Sequence, residues 1–291
     1  MIKVGVIGNI LDEGHGTYFS IWLNEVTNGE VQTKYAYALL EKPLKDDPFP
    51  LHKRTSKQWC ADYNITLCHS LEEIVDKSDA LMVCAPNNSE LHEQLCSLPL
   101  ASGKPVFCDK VFSTTFVSAK RMFELAETHS TPVFSCSATR FIPEIVNIRT
   151  EGIRHASCWY GAYDVHIIHE IEPVMMLMQA KAVRIKNVIS EDFIHYIIEF
   201  ADGRYATMAG YHGIKDIPLL IHVFREDGYE TVVNKGELFH NLIVEISETF
   251  KSRTIKINPN ETLNIIGVYE AAMESRKMPG EWVEIQQTRE D

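Results

Sequence analysis

The sequence predicts an α/β protein: a Rossmann-type parallel-sheet domain over residues 1–140, followed over 141–291 by an α+β domain with an open, mainly antiparallel sheet. Three observations predict it. Through the first half, short β-branched runs alternate with helically spaced segments, which is the pattern of βαβ units and a parallel sheet. Beyond about residue 140 the runs lengthen and are joined by glycine-containing turns, as in FIHYIIEF-ADG-RYATMAGY and LLIHVFR-EDG-YETVV, the chemistry of hairpins. At 291 residues, 45% hydrophobic and 23% charged, the chain is long enough for two cores.

In chain order, strands are predicted at IKVGVI, TKYAYALL, ITLC, ALMVCA, PVFCD and TPVFSC. Between them HGTYFSIWLNEV, SKQWCADY, SLEEIVDK, NNSELHEQLCS and TTFVSAKRMFELAETH carry helical spacing, several opening on a Ser, Thr or Asn able to cap. Six strands with intervening helices make a doubly wound, nucleotide-binding type of sheet. KPLKDDPFPLHKR reads as a loop insertion. In the second half the pattern gives a helix over 167–180, the two hairpins, helices at ELFHNLIVEISETFK and NPNETLNIIGVYEAAMESRK, and a last strand at EWVEIQ. The C-terminal helix is free to fold back onto the first domain.

Charge and cysteine usage exclude some classes. A formal net charge of -12 argues against a nucleic-acid surface, because phosphate neutralisation needs clustered Lys and Arg. Seven cysteines without a C-x-x-C pair read as reduced thiols. No stretch approaches about 18 uninterrupted apolar residues. The expectation is a soluble, cytoplasmic protein that uses no membrane.

Three stretches carry chemistry. In the dinucleotide fingerprint G-x-G-x-x-G, the first glycine makes the turn, the second admits the pyrophosphate and the third lets the helix pack. The opening MIKVGVIGNILDEGHGTYF keeps Gly8, puts Ile10 and Glu13 in the other two places, and resumes glycines at Gly14 and Gly16. A helix starting there presents N–H groups to an anion, which Asp12 and Glu13 oppose unless they point to solvent. A plain β-turn-α connection is the bland reading. In ALMVCAPNNSELH, the strand ends at Ala85, Pro86 and Asn87, where ligands of open parallel sheets sit; Asn88 as a helix cap is the alternative. In GKPVFCDKVFS, a strand delivers Asp109 and Lys110 to the same edge, where a lysine can give a proton or bind a hydroxyl, though such a pair is commonly only solvated.

These stretches, in this order and with TPVFSCSATRF after them, resemble the glucose-fructose oxidoreductase / inositol dehydrogenase / MocA family of NAD(P)-dependent dehydrogenases over nearly the whole chain. The resemblance implies a nicotinamide cofactor, NAD or NADP, held by Gly8, Asn9, Ile10, His15, Ala85, Pro86, Asn87, Asp109 and Lys110. The family's strand-end Glu-Lys-Pro appears here as Asp109-Lys110-Val111: the lysine is kept, the proline lost. The family's second-domain histidine, in a pattern like D-x-G-x-H-x-x-D, maps to GAYDVHIIHEIEPVMMLM. His169 and Glu172 match its end, and Asp164 stands five residues before His169 where four are expected.

His169 is the choice for general base, with His166 as rival, Glu172 as orienter and Lys110 as catalytic partner. Lys110, Arg140, Asp164, His166 and His169 are expected to meet a sugar- or polyol-like alcohol or ketone, Arg140 by binding an anion or by pairing within the protein. Glu41 and Lys42 after the second strand leave NAD and NADP undecided. A homo-oligomer, dimer or tetramer, through the open sheet is also implied. Two other readings compete: a non-catalytic ligand sensor on the same scaffold, and a metal-dependent lyase or hydrolase using His166, His169 and Glu172; no resident metal is expected.

Overall fold

A computed structural model describes residues 1–45, 50–160, 165–211, 218–234 and 238–288. Among these residues two sheets form, each in its own compact unit. The first unit comprises residues 1–113, 117–135 and 240–259; the second comprises 114–116, 136–239 and 260–291.

In the first unit, β1 (Ile2–Gly8), β2 (Val31–Ala38), β3 (Thr66–Leu67), β4 (Ala80–Val83), β5 (Val106–Cys108) and β6 (Val133–Phe134) make a parallel sheet in the order β3-β2-β1-β4-β5-β6. β4 and β5 read as unbroken apolar runs because both of their faces are buried. Crossovers run through α1 (Gly14–Val26), α2 (Ser56–Asp62), α3 (Leu71–Lys77), α4 (His92–Leu100) and α5 (Phe116–Thr128). The starts are chemically marked. Thr55 and Gln58 form a reciprocal capping box on α2. Ser70 caps α3, whose Glu72 and Glu73 lie at its positive end and Lys77 at its negative end. Strand order reverses between β1 and β4, so the crevice that binds ligands in such sheets lies outside the carboxyl ends of those two strands.

The division into units is not a single cut at residue 140. Helix α8 (His240–Ser252) belongs with the first unit, packed on α1, where Lys251 pairs with Glu30 at 2.8 Å and Arg253 donates to the Gly103 carbonyl. Its buried Leu242, Ile243, Ile246 and Phe250 fall on one face, which needs that partner.

The second unit holds a mixed sheet in the order β12-β11-β7-β10-β9-β8-β13. Its strands are β7 (Ile153–Tyr160), β8 (Ala182–Ile189), β9 (Phe193–Phe200), β10 (Tyr205–Tyr211), β11 (Leu219–Arg225), β12 (Gly228–Asn234) and β13 (Val283–Glu284). Both expected hairpins form, β9 with β10 and β11 with β12. β7 and β8 were not expected, and β7 pairs parallel to β10. A short helix α6 (Pro143–Val146) follows the crossover segment; α7 (Ile168–Met178) packs on β7 and β10, and α9 (Pro259–Ser275) runs almost wholly in this unit. No helix of the described residues is long and apolar enough to cross a membrane. All seven cysteines are unbridged and buried.

Candidate functional site

The first unit gathers a polar cluster at the carboxyl edge of its sheet. Gly8 ends β1 there, and a Cβ on it would meet the Ile10 carbonyl oxygen at 2.6 Å and that of Cys84 at 3.0 Å, so only glycine allows the turn. Asn9 donates to the Asn88 side chain at 2.9 Å, which leaves Asn88 tying two loops together rather than capping the helix that follows. Ile10 is buried beside them.

Asp12 and Glu13 do not point to solvent, as a phosphate loop would need; they are 1% and 3% exposed. Asp12 accepts from Arg54 Nε and Nη2 at 3.0 and 2.7 Å and from the backbone N–H groups of His52 and Arg54, so its charge is neutralised inside the protein. Glu13 accepts from the Asn87 side-chain amide. The N-terminus of α1 has no side-chain cap, so Gly8 and that helix end together have the form of an anion cradle. The residues present fit a dinucleotide in these respects, with Glu13 the one feature against it.

His15, on the first turn of α1, stacks on Phe19 and lies 2.6 Å through Nδ1 from Asp109 Oδ2. Burial pushes the Asp109 carboxyl up, but the charge and hydrogen bond of His15, with Lys110 and His92, outweigh it and leave Asp109 below the usual range. Lys110 therefore follows an aspartate that is already engaged. The lysine is 4% exposed, and among the described residues its Nζ has no hydrogen-bond or ion-pair partner. Burial pushes its ammonium below the ordinary lysine value, against the pull of Asp109 and Glu13. Ala85 and Pro86 are buried at the end of β4.

Sequence reasoning missed His92. It is fully buried, with Nδ1 donating to the Val111 carbonyl at 2.7 Å and Nε2 3.1 Å from that of Ala85. The ring thus ties the loop after β4 to the loop carrying Lys110, and burial lowers its pKa. The signal was present in NNSELH, a histidine early in a helix that starts at a strand end, but its partners are backbone atoms that no pattern names.

The second unit gathers another cluster around α7. His169 Nδ1 is 2.7 Å from Ser137 Oγ, and the His169 ring stands edge-on to Tyr160 at 5.9 Å between centroids. Glu172 does not reach the imidazole; it accepts from Arg140 Nε at 2.5 Å and from the Ser137 backbone N–H at 3.3 Å. Arg140 also holds Glu261, so both sides of the guanidinium are taken by carboxylates. Burial pushes the Glu172 carboxyl up and Arg140 only partly offsets it. Between them in sequence, Glu170 is fully buried, accepts from the Ala209 N–H at 3.0 Å, and is pushed well above the carboxylate range by burial.

His166 stacks on His169 at 6.1 Å. Among the described residues no three His, Cys, Asp or Glu side chains converge as a cation site, and Glu172 is committed to Arg140, so the His166, His169, Glu172 metal reading is not favoured. Asp164 lies outside the described residues.

Residues 50–136 match the model of an oxidoreductase family with an NAD-binding Rossmann fold, the Gfo/Idh/MocA family. The match begins after the divergent opening loop and includes Pro86, Asn87 and Lys110. No curated protein matches the sequence. Among solved structures, the fold is similar to myo-inositol dehydrogenase from Lactobacillus casei, solved with NAD(H) and myo-inositol (16% identity, TM-score 0.81, 100% of this chain and 98% of that one). It is also similar to a probable dehydrogenase from Thermotoga maritima (15%, 0.78, 97% and 98%) and to UDP-N-acetylglucosamine 3-dehydrogenase from Acidithiobacillus ferrooxidans (12%, 0.73, 96% and 97%). At such identities the likeness shows the fold.

Proposed function

We propose that this chain, whose residues 50–136 match the model of the Gfo/Idh/MocA oxidoreductases with their NAD-binding Rossmann fold, interconverts a sugar- or polyol-like secondary alcohol and its ketone using NAD or NADP. The observation that carries the reading is Lys110: a buried lysine whose Nζ makes no direct hydrogen bond or ion pair among the described residues, placed where an open parallel sheet binds its ligand. Gly8, Asn9, Ile10, His15, Ala85, Pro86, Asn87 and Asp109 are the residues proposed to hold the dinucleotide, Gly8 and the uncapped end of α1 at its pyrophosphate. A bound nicotinamide supplies the hydride acceptor or donor. The chain's own part is to place the hydroxyl-bearing carbon and to move the hydroxyl proton, and Lys110 and His169 are each proposed as a proton-handling group. Glu172 supports through Arg140 and Ser137. His166, and Arg140 at an anionic group, are the remaining substrate contacts proposed.

Titration of the purified protein with NADH and with NADPH, read by energy transfer from tryptophan to the reduced nicotinamide, tests this. Saturable binding of at least one is expected; no binding of either at millimolar concentration sinks the oxidoreductase reading and leaves a sensor of another ligand in its place.

Self-association is proposed through the second unit's sheet. Cross-strand pairs Phe224–Tyr229 and Leu220–Val233, with the polar pair His222–Thr231 between them and Trp159 opposite Leu220, share one mixed face, on which Phe224, Tyr229 and Val233 are large apolar side chains 47%, 78% and 43% exposed. Such a face marks an interface. Sedimentation at micromolar concentration is expected to show a dimer or larger, and Phe224→Glu with Tyr229→Glu to shift it to monomer; a wild-type monomer refutes the proposal.

A further inference from the structure

Two buried hydroxyls beside His169 have no part in the chemistry so far. Ser137 and Thr139 are 0% and 1% exposed. Ser137 Oγ lies 2.7 Å from His169 Nδ1 and 2.7 Å from Thr139 Oγ1, and it accepts the Thr139 backbone N–H at 3.1 Å. The serine is held in place from its other side, because its own N–H donates to Glu172, which Arg140 clamps.

Each hydroxyl has one proton to give. Among the described residues the acceptor within reach of the Thr139 hydroxyl is Ser137 Oγ. When Thr139 donates there, Ser137 Oγ has accepted two hydrogen bonds, and its own proton points to its remaining neighbour, His169 Nδ1. A ring nitrogen that accepts carries no proton, so the neutral imidazole holds its proton on Nε2. The reverse chain, Nδ1–H to Ser137 and Ser137 to Thr139, strands the Thr139 proton in a buried place, at the desolvation cost of an unmade hydrogen bond.

We propose that Ser137 and Thr139 are positioning residues that hold neutral His169 as its Nε2–H tautomer, so that the ring meets a substrate oxygen as a hydrogen-bond donor. A ring that already holds its proton on Nε2 does not take the hydroxyl proton, which reverses the assignment of His169 as base. The inference rests on His169 being the residue that meets the substrate oxygen.

The test is long-range proton–nitrogen correlation NMR on the full-length protein labelled with nitrogen-15 at histidine, recorded at about pH 8.5, roughly two units above an ordinary imidazole pKa. The His169 signals are identified by their loss in His169→Gln. The wild type is expected to show an unprotonated Nδ1 and a protonated Nε2. Thr139→Val removes the hydroxyl that starts the chain and is expected to move the ring toward Nδ1–H; Ser137→Ala is expected to give a mixture, and Ser137→Thr to restore a single tautomer. A wild-type ring protonated on Nδ1, alone or as the imidazolium, overturns the proposal even if a variant fails to fold. The spectrum needs neither substrate nor cofactor, so a failed NADH and NADPH titration and a wrong tautomer are separate results.

Discussion

Lys110→Met is expected to lower turnover of a polyol panel with NAD or NADP by about 10²- to 10⁴-fold, the usual worth of a proton-transfer group, while leaving the protein at least as stable. The two halves of that expectation come from one fact. An ammonium that is 4% exposed and has no partner among the described residues is costly to keep charged, and burial accordingly lowers its pKa. Because the folded-state pKa lies below the unfolded value of 10.5, the unfolded chain binds more protons between the two, and folding stability rises with pH across that window. Below it the cost of the buried charge is fully present; as pH climbs through the lowered pKa the cost disappears. Met fills the same space without the charge, so the melting midpoint of the variant should exceed that of the wild type at neutral pH, with the gap closing toward pH 10. Undiminished turnover removes Lys110 from the reaction. A variant less stable than the wild type at neutral pH shows that the lysine is held by a partner.

Much of the first unit's site was legible because the rule for open parallel sheets is local: a short apolar run followed by Pro86-Asn87, or by Asp109-Lys110, predicts both a strand and what stands at its end. The contacts that hold those residues were not legible. Asp12 finds Arg54 at a separation of 42 residues, and His169 finds Ser137 at 32, and nothing in either stretch names the other. For that reason Asp12 and Glu13 read as obstacles to a phosphate unless they faced solvent, and their burial against partners was not in view.

In the second unit the hairpins announced themselves through ADG and EDG turns, whereas β7 and β8 did not. IRHASCWY puts His155, Ser157 and Trp159 on one face, a mixture too polar to read as alternation. Its parallel pairing with β10 closes through a long connection with no turn signal. The placement of α8 with the first unit is likewise tertiary: its amphipathic pattern says that one face is buried, not against what.

Arg140→Met is expected to cost about 3–5 kcal/mol at neutral pH, the range for removing one partner of a buried ion pair. Glu172 is 2% exposed, and without the guanidinium its carboxylate keeps, among the described residues, one weak donor, the Ser137 N–H at 3.3 Å. Glu261, more than a third exposed at its side chain, is rehydrated at little cost. The pH dependence separates this explanation from lost packing. Burial already holds the Glu172 pKa above 4.5 with Arg140 present, and removing the cation raises it further. A carboxyl whose folded pKa exceeds its unfolded one destabilises fully above the folded value and ceases to as pH falls through it toward 4.5. Urea melts of Arg140→Met against wild type should therefore show a larger loss at pH 8 than at pH 5. Adding Glu172→Gln should recover most of the loss at pH 8, since the stranded charge rather than the missing side chain is the cost. An equal loss at both pH values, with no recovery in the double variant, means that packing is what Arg140 provides. The same substitution loosens the clamp on Ser137, so Arg140→Met should also blur the single His169 tautomer, whereas the double variant, which keeps a hydrogen-bond acceptor at position 172, should sharpen it again.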